Sequence, residues 1–107
     1  MASKSKEKGN RFERDIIRLH RERTKFKAKK VPLSGAAQGF KGDVRIQIGT
    51  KEYMGECKKR KNGAGFAVME GWLEGNDLLF LGRNNRMPFV AMTWETYEEL
   101  LGRINDN

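Results

Sequence analysis

Apolar positions recur along this chain with two different periods. From Asn10, the segment NRFERDIIRLHRER spaces Phe12, Ile16 and Leu19 three and four residues apart with Ile17 beside them, which predicts an amphipathic helix to about Arg23. KAKKVPL predicts an edge strand, since it carries β-branched Val31 but is interrupted by Pro32, which cannot donate to a ladder. SGAAQGFKG, with three glycines, predicts a flexible loop. VRIQI alternates Val44, Ile46 and Ile48 with Arg45 and Gln47, the period of a half-buried strand, and Gly49-Thr50 turns it into a partner, KEYMGECKK. Phe66, Met69 and Leu73 predict a second helix closing near Gly75-Asn76. DLLFLG and PFVAM are short continuous apolar runs, expected as buried strands joined by a turn at RNNRM. Thr93 is expected to cap a last helix, WETYEELLGRI, with Tyr97, Leu100, Leu101 and Ile104 facing inward. The predicted order is helix, three strands, helix, two strands, helix, an α/β (α+β) class.

Composition narrows this picture. With 107 residues, 37% hydrophobic and 34% charged, the chain suits one compact domain under a heavily charged surface. Residues 1–8, MASKSKEK, have no apolar period and are expected to form a basic mobile tail, leaving residues 9–107 as the domain. No apolar run approaches the roughly 20 residues of a membrane span, and no signal-peptide stretch follows the basic start, so a soluble, cytoplasmic protein is expected. Cys57 is the only cysteine, which excludes an internal disulfide and a Cys/His zinc site.

Charge adds a partner class. Residues 1–30 hold 12 Lys/Arg against 4 Asp/Glu, while the remainder holds 10 against 10, so the whole net charge of +8 sits at the N-terminus. A one-sided basic block is the footprint expected for phosphate backbones, although the same residues could serve only as a solubilising surface.

The candidate chemistry lies in GDVRIQIGTKEYMGECKKR. If the hairpin turns symmetrically about Gly49-Thr50, Ile48 faces Lys51 and Asp43 faces Glu56, with Lys58 as the diagonal neighbour. Two carboxylates about 5 Å apart repel unless a cation lies between them. A divalent Mg²⁺ or Mn²⁺, bound through oxygen ligands and completed by substrate phosphate, would supply that cation. The plain alternative is a solvent-facing hairpin on which Lys58 neutralises Glu56. Glu13 is a third carboxylate: on a helical wheel it falls between Ile16 and Ile17, whereas Asp15 and Glu22 point away. It could close a capping box with Asn10, or it could aim at the same metal site.

The pattern RFERDI, the SG loop, GDVRI, GECK and then a helix followed by two apolar strands resembles the PD-(D/E)xK nuclease superfamily. Within it, the chain resembles the small archaeal-type Holliday-junction resolvases and their phage relatives, from about Gly9 to Leu101. The resemblance implies a restriction-endonuclease-like core with a central mixed five-stranded sheet flanked by helices. It implies Asp43 and Glu56 as metal ligands, Lys58 as the catalytic lysine, Glu13 as the helix-one carboxylate, and the Cys57 backbone carbonyl as a further ligand. It also implies a contribution to cleavage from Ser34, a phage or prokaryotic source, a homodimer, and DNA four-way junctions as the substrate. Gly42 stands where the superfamily name has proline.

Arg11, Arg14, Arg18, Lys29, Lys30, Lys41, Lys59, Arg60 and Lys61 are the expected phosphate contacts. His20 is expected to be packed or hydrogen-bonded, Cys57 to be a small core residue, and Trp72 and Trp94 to anchor a core or dimer surface. The glycine-rich loop lacks P-loop spacing, and no small-molecule cofactor is expected. A restriction-type, repair or unspecific nuclease, or a non-catalytic nucleic-acid-binding module, would share most of these features.

Overall fold

In the computed structural model, residues 4–32, 42–61 and 63–105 are described, with side chains from Asn10 onward. The elements follow the predicted order: α1 (Lys4–Arg23), β1 (Ala28–Lys30), β2 (Val44–Ile48), β3 (Lys51–Gly55), α2 (Ala64–Leu73), β4 (Leu78–Leu81), β5 (Phe89–Met92) and α3 (Trp94–Gly102). The strands pair antiparallel in two separate sheets, β1-β2-β3 and β4-β5. The protein is therefore a mixed α+β fold, and the single mixed sheet of five strands expected above is not what these strands form. The chain gathers into two compact units. One runs to Lys59 and takes the chain up again at Ile104, and the other spans Arg60–Arg103.

In the first unit, α1 begins at Lys4, well before the predicted start at Asn10. The apolar period is silent there, but Lys and Glu are good helix formers, and extending an existing helix carries no new nucleation cost. Asn10 thus lies inside the helix rather than at its cap. At the other end the Thr24 amide donates to the His20 carbonyl at 3.0 Å, and the Thr24 hydroxyl accepts from the Phe26 amide at 3.1 Å, turning the chain toward β1. His20 is buried, with Nδ1 2.8 Å from the Ile16 carbonyl, the packed role expected for it.

The core of this unit is small: Phe26, Ala28, Val31, Val44 and Ile46, together with His20. Val44 and Ile46 alternate with the less buried Arg45 and Gln47, so the period-two pattern gave the inner face of β2 correctly. β1 lies at the edge of its sheet as expected, ends two residues before Pro32, and pairs Ala28 with Ile46 and Lys30 with Val44. β2 and β3 keep the predicted hairpin register from Ile48↔Lys51 to Val44↔Gly55. Gly49 has φ +63°, the left-handed value that a two-residue type II′ turn gives to glycine at its first position. The Lys25 ammonium donates to the Ile104 carbonyl, which ties the returning chain to this unit.

In the second unit, β4 and β5 pair from Leu78↔Met92 to Leu81↔Phe89. Thr93 caps α3 as predicted, its hydroxyl accepting from the Thr96 amide. Trp94 Nε1 donates to Glu98 at 2.8 Å, and its ring meets Tyr97 edge-on at 5.1 Å. Burial departs from expectation: Leu101 is inside, but Leu100, Phe80 and Phe89 are exposed, as is Ile104 where the chain returns to the first unit; Trp72 is exposed too, which its expected role in a core or dimer surface leaves open. An apolar run of four or five residues reads alike whether its sheet is covered on one face or on both. A two-stranded sheet with two short helices has too few layers to cover both.

Gly42 has φ +89°, and a Cβ there would lie 3.1 Å from the Gly55 carbonyl oxygen. Left-handed backbone costs an L-residue roughly 1–2 kcal/mol before any contact is counted. Gly42→Ala is expected to lower stability by at least about 1 kcal/mol in urea unfolding, and Gly49→Ala, with open space around it, by less.

Candidate active site

Asp43 stands at the entry to the central strand β2, and three hydrogen bonds hold it. Its carbonyl accepts from the Val31 amide at 2.9 Å, and its amide donates to the Gly55 carbonyl at 2.8 Å. Its carboxylate Oδ2 accepts from the Cys57 amide at 2.7 Å. The bond to Gly55 is offset by one residue from the β2-β3 ladder, so the pairing ends at Val44↔Gly55 with a bulge-like slip instead of continuing to Asp43 opposite Glu56. The slip brings the chain after β3 across the end of Asp43, where the Cys57 amide reaches its side chain.

Glu13 enters from α1. Its side chain is 13% exposed, against 34% for Asp15 and 50% for Glu22, so the helical wheel separated the inward carboxylate from the outward ones. With Asn10 inside the helix, a capping box gives no reason for that inward position. Lys30 Nζ lies 3.9 Å from Glu13 Oε1. Burial first, and then the charge of Asp43, hold the Glu13 carboxyl above its usual range; Lys30 pulls it down, Glu56 adds to the rise, and Arg14 lowers it. Burial also pushes the Cys57 thiol up to about 11, helped by Asp43, Glu13 and Glu56. The thiol is therefore neutral near pH 7 and a poor nucleophile. Cys57 is half-buried rather than a core residue.

Glu56 and Lys58 follow β3 in irregular backbone, both exposed, with Lys58 Nζ 3.3 Å from Glu56 Oε2. This is the contact the plain-hairpin reading expects, and as a surface pair it contributes only about 0–1 kcal/mol. Among the described residues, no three His, Cys, Asp or Glu side chains meet at metal-binding spacing. The three carboxylates sense one another electrostatically without closing on a common point. Their chemistry nonetheless fits a hard divalent cation: all offer oxygen, and Glu13 carries the unfavourable charge that such an ion offsets.

A family model described as "Phage putative PDDEXK endonuclease" matches residues 4–75. The chain belongs to that family. No curated protein and no solved structure matches it. Asp43, Glu56 and Lys58, the residues expected to carry the D, E and K of such a pattern, all lie within the matched range, at or just beyond the open end of the β2-β3 hairpin. The missing proline has a backbone reason. Gly42 sits at φ +89°, a value that a proline ring locked near −65° cannot adopt.

The basic residues divide. Arg11, Arg14, Lys29, Lys30, Lys59, Arg60 and Lys61 are exposed. Arg18 is also exposed but lies 3.4 Å from Asp15 and 3.8 Å from Glu22, which offsets much of its charge. Lys59 Nζ stands over the Phe12 ring at 5.7 Å, a contact between the end of the hairpin segment and α1 that spacing did not signal. Ser34 and Lys41 lie outside the described residues. The Asp43–Cys57 bond was also missed, because it depends on the slip after Gly55 rather than on the register of the hairpin.

Two outcomes follow from this geometry. Asp43→Ala is expected to cost about 1–3 kcal/mol in chemical denaturation, because it leaves the Cys57 amide without its acceptor, whereas Asp43→Asn keeps an acceptor oxygen and most of the stability. Glu13 binds its proton more tightly folded than unfolded, so its contribution is full below the ordinary Glu range and is lost as pH rises through the raised value. Glu13→Gln is therefore expected to raise the Tm of the metal-free protein near pH 7, with the gain vanishing below about pH 4 in a thermal-melt series.

Proposed function

We propose that this protein is a metal-dependent DNA endonuclease of the resolvase type, which cuts four-way junctions as a homodimer in the cytoplasm of a prokaryotic or phage-infected cell. The observation that carries the nuclease reading is that Glu13 lies within electrostatic reach of Asp43 and Glu56, with Lys58 beside Glu56, in a chain of the PDDEXK endonuclease family. Glu13, Asp43, Glu56 and the Cys57 carbonyl are the groups that would hold Mg²⁺ or Mn²⁺. When bound, the ion supplies positive charge at the scissile phosphate and eases deprotonation of the attacking water.

The chain's own residues do the rest. The Cys57 amide holds one oxygen of Asp43, so the other would be the one offered to a cation. The Glu56–Lys58 contact is weak enough to open, so Lys58 can turn its ammonium to a phosphate oxygen or orient the water. Lys30 balances Glu13 in the free protein and can shift to phosphate when a divalent ion takes its place. Exposed Arg11, Arg14, Lys29, Lys59, Arg60 and Lys61 hold the backbone, and binding should weaken steeply with salt.

Two observations favour a second reading, a nucleic-acid-binding module without catalysis: Lys58 already pairs with Glu56, and no ligand cluster is closed among the described residues. The deciding experiment is cleavage of a labelled four-way junction and a matched linear duplex, with Mg²⁺ or EDTA. Paired symmetric nicks that need the metal are expected from wild type. Asp43→Asn and Lys58→Met should fall about 10²–10³-fold in rate while still binding DNA. Equal cutting of linear duplex would defeat the junction claim alone. Binding with no metal-dependent cutting and no Mn²⁺ heat in calorimetry would leave the binding module.

A further inference from the structure

A different chemistry stands at the β4-β5 turn. Leu81, Arg83, Arg86, Met87 and Phe89 line a groove of about 180 Å³. Its apolar side chains are open to water, Phe89 at 70% and Met87 at 88% exposure. The turn between them is built: the Arg86 amide donates to the Arg83 carbonyl at 3.3 Å, and Asn85 takes the left-handed φ of 59° that asparagine tolerates.

Charge in this unit is segregated. From Leu78 to Met92 the sequence has Arg83 and Arg86 and no Asp or Glu; the unit's carboxylates lie before it, on Glu70, Glu74 and Asp77, or after it, on Glu95, Glu98 and Glu99. Among the described residues neither guanidinium is in an ion pair. Two uncompensated cations beside an exposed aromatic ring and a thioether make a surface with one apolar and one anion-binding part.

That combination selects its occupant. Single strands are held by bases laid on aromatic faces and phosphates held by cations, and guanidinium meets phosphate with paired donors. The groove is smaller than the roughly 300–1,000 Å³ of drug-sized ligand pockets and takes one ring system. In an intact duplex each base face is covered by its neighbours, so only an unpaired base can lie on it. A second copy of the same face would bring four guanidiniums together with no carboxylate to offset them, whereas a polynucleotide brings phosphate.

We propose that the β4-β5 turn binds an unpaired nucleotide of DNA, with the base against Phe89 and Met87 and its flanking phosphates on Arg83 and Arg86. The proposal rests on the nucleic-acid reading above and adds to it the kind of DNA, one with bases out of the stack. The site shares no residue with the carboxylate corner and needs no metal.

The test is fluorescence anisotropy of the full chain with a labelled oligothymidylate and a blunt duplex of equal length, both in EDTA so that nothing is cut. Phe89→Ala is expected to weaken single-strand binding about 5- to 150-fold, the range of one lost base stack, and to leave duplex binding within about twofold. Arg83→Ala with Arg86→Ala is expected to lower the single-strand salt slope by about 1.4, roughly 0.7 per phosphate. Met87→Ala, at a still more exposed position, should move binding in the same direction as Phe89→Ala and guards against a folding defect. Unchanged oligothymidylate binding in both apolar variants overturns the proposal, as does an equal loss on duplex. Self-association in sedimentation that disappears in Phe89→Ala while single-strand binding persists also overturns it, making the face a contact between copies. Single-strand binding that depends on Phe89 in a protein that cuts neither junction nor linear duplex with Mg²⁺ would sink the nuclease reading and leave this site standing.

Discussion

The geometry of the candidate site depends on how Asp43 is held. One residue uses its amide, its carbonyl and its carboxylate to join the end of β1, the entry to β2 and the exit from β3. A carboxylate at a strand end would ordinarily swing among rotamers in water; here its orientation is fixed by a backbone donor that belongs to the same segment as Glu56 and Lys58. The structural tie and the chemical grouping are thus one interaction. The left-handed backbone at Gly42 serves the same end, since it lets the chain enter β2 close against Gly55.

The electrostatics of this corner are unbalanced in a way that favours a visitor. Glu13 is held inward by the helix that carries it and raised by burial and by the charge of Asp43, with Lys30 only partly offsetting them. Glu56 and Lys58 satisfy each other in solvent, at little cost to separate. Folding supplies the apolar contacts that place α1 against β1, and the inward carboxylate is carried along. An inward carboxylate whose proton affinity is raised in this way gives up some stability near neutral pH.

Much of this was legible from spacing alone. The register of the β2-β3 hairpin followed from a two-residue glycine turn and from the alternation in VRIQI, and the inward face of α1 from the interval between Phe12, Ile16 and Leu19. Thr93 announced its helix because a hydroxyl before an apolar period has few better uses. What spacing could not show was the slip beyond Gly55, which depends on how three strand ends compete for hydrogen bonds. Nor could it show the exposure of Phe80 and Phe89, because an apolar run records what a strand can bury and not how many layers surround it. The division of the five strands between two sheets is of the same kind: strand existence is local, strand neighbours are not.

The second unit enters the chain between Lys59 and Ile104, so it is an insertion and not an appendage. Both of its ends lead into the first unit, and the returning end is fastened where Lys25 meets the Ile104 carbonyl. In polymer terms the unit is a closed loop, and the entropy of closing a loop grows only with the logarithm of its length. The carboxylate corner, all of whose members precede Arg60, can therefore keep its geometry while the insert lengthens, shortens or exchanges its surface, provided the last few residues still return to their anchor.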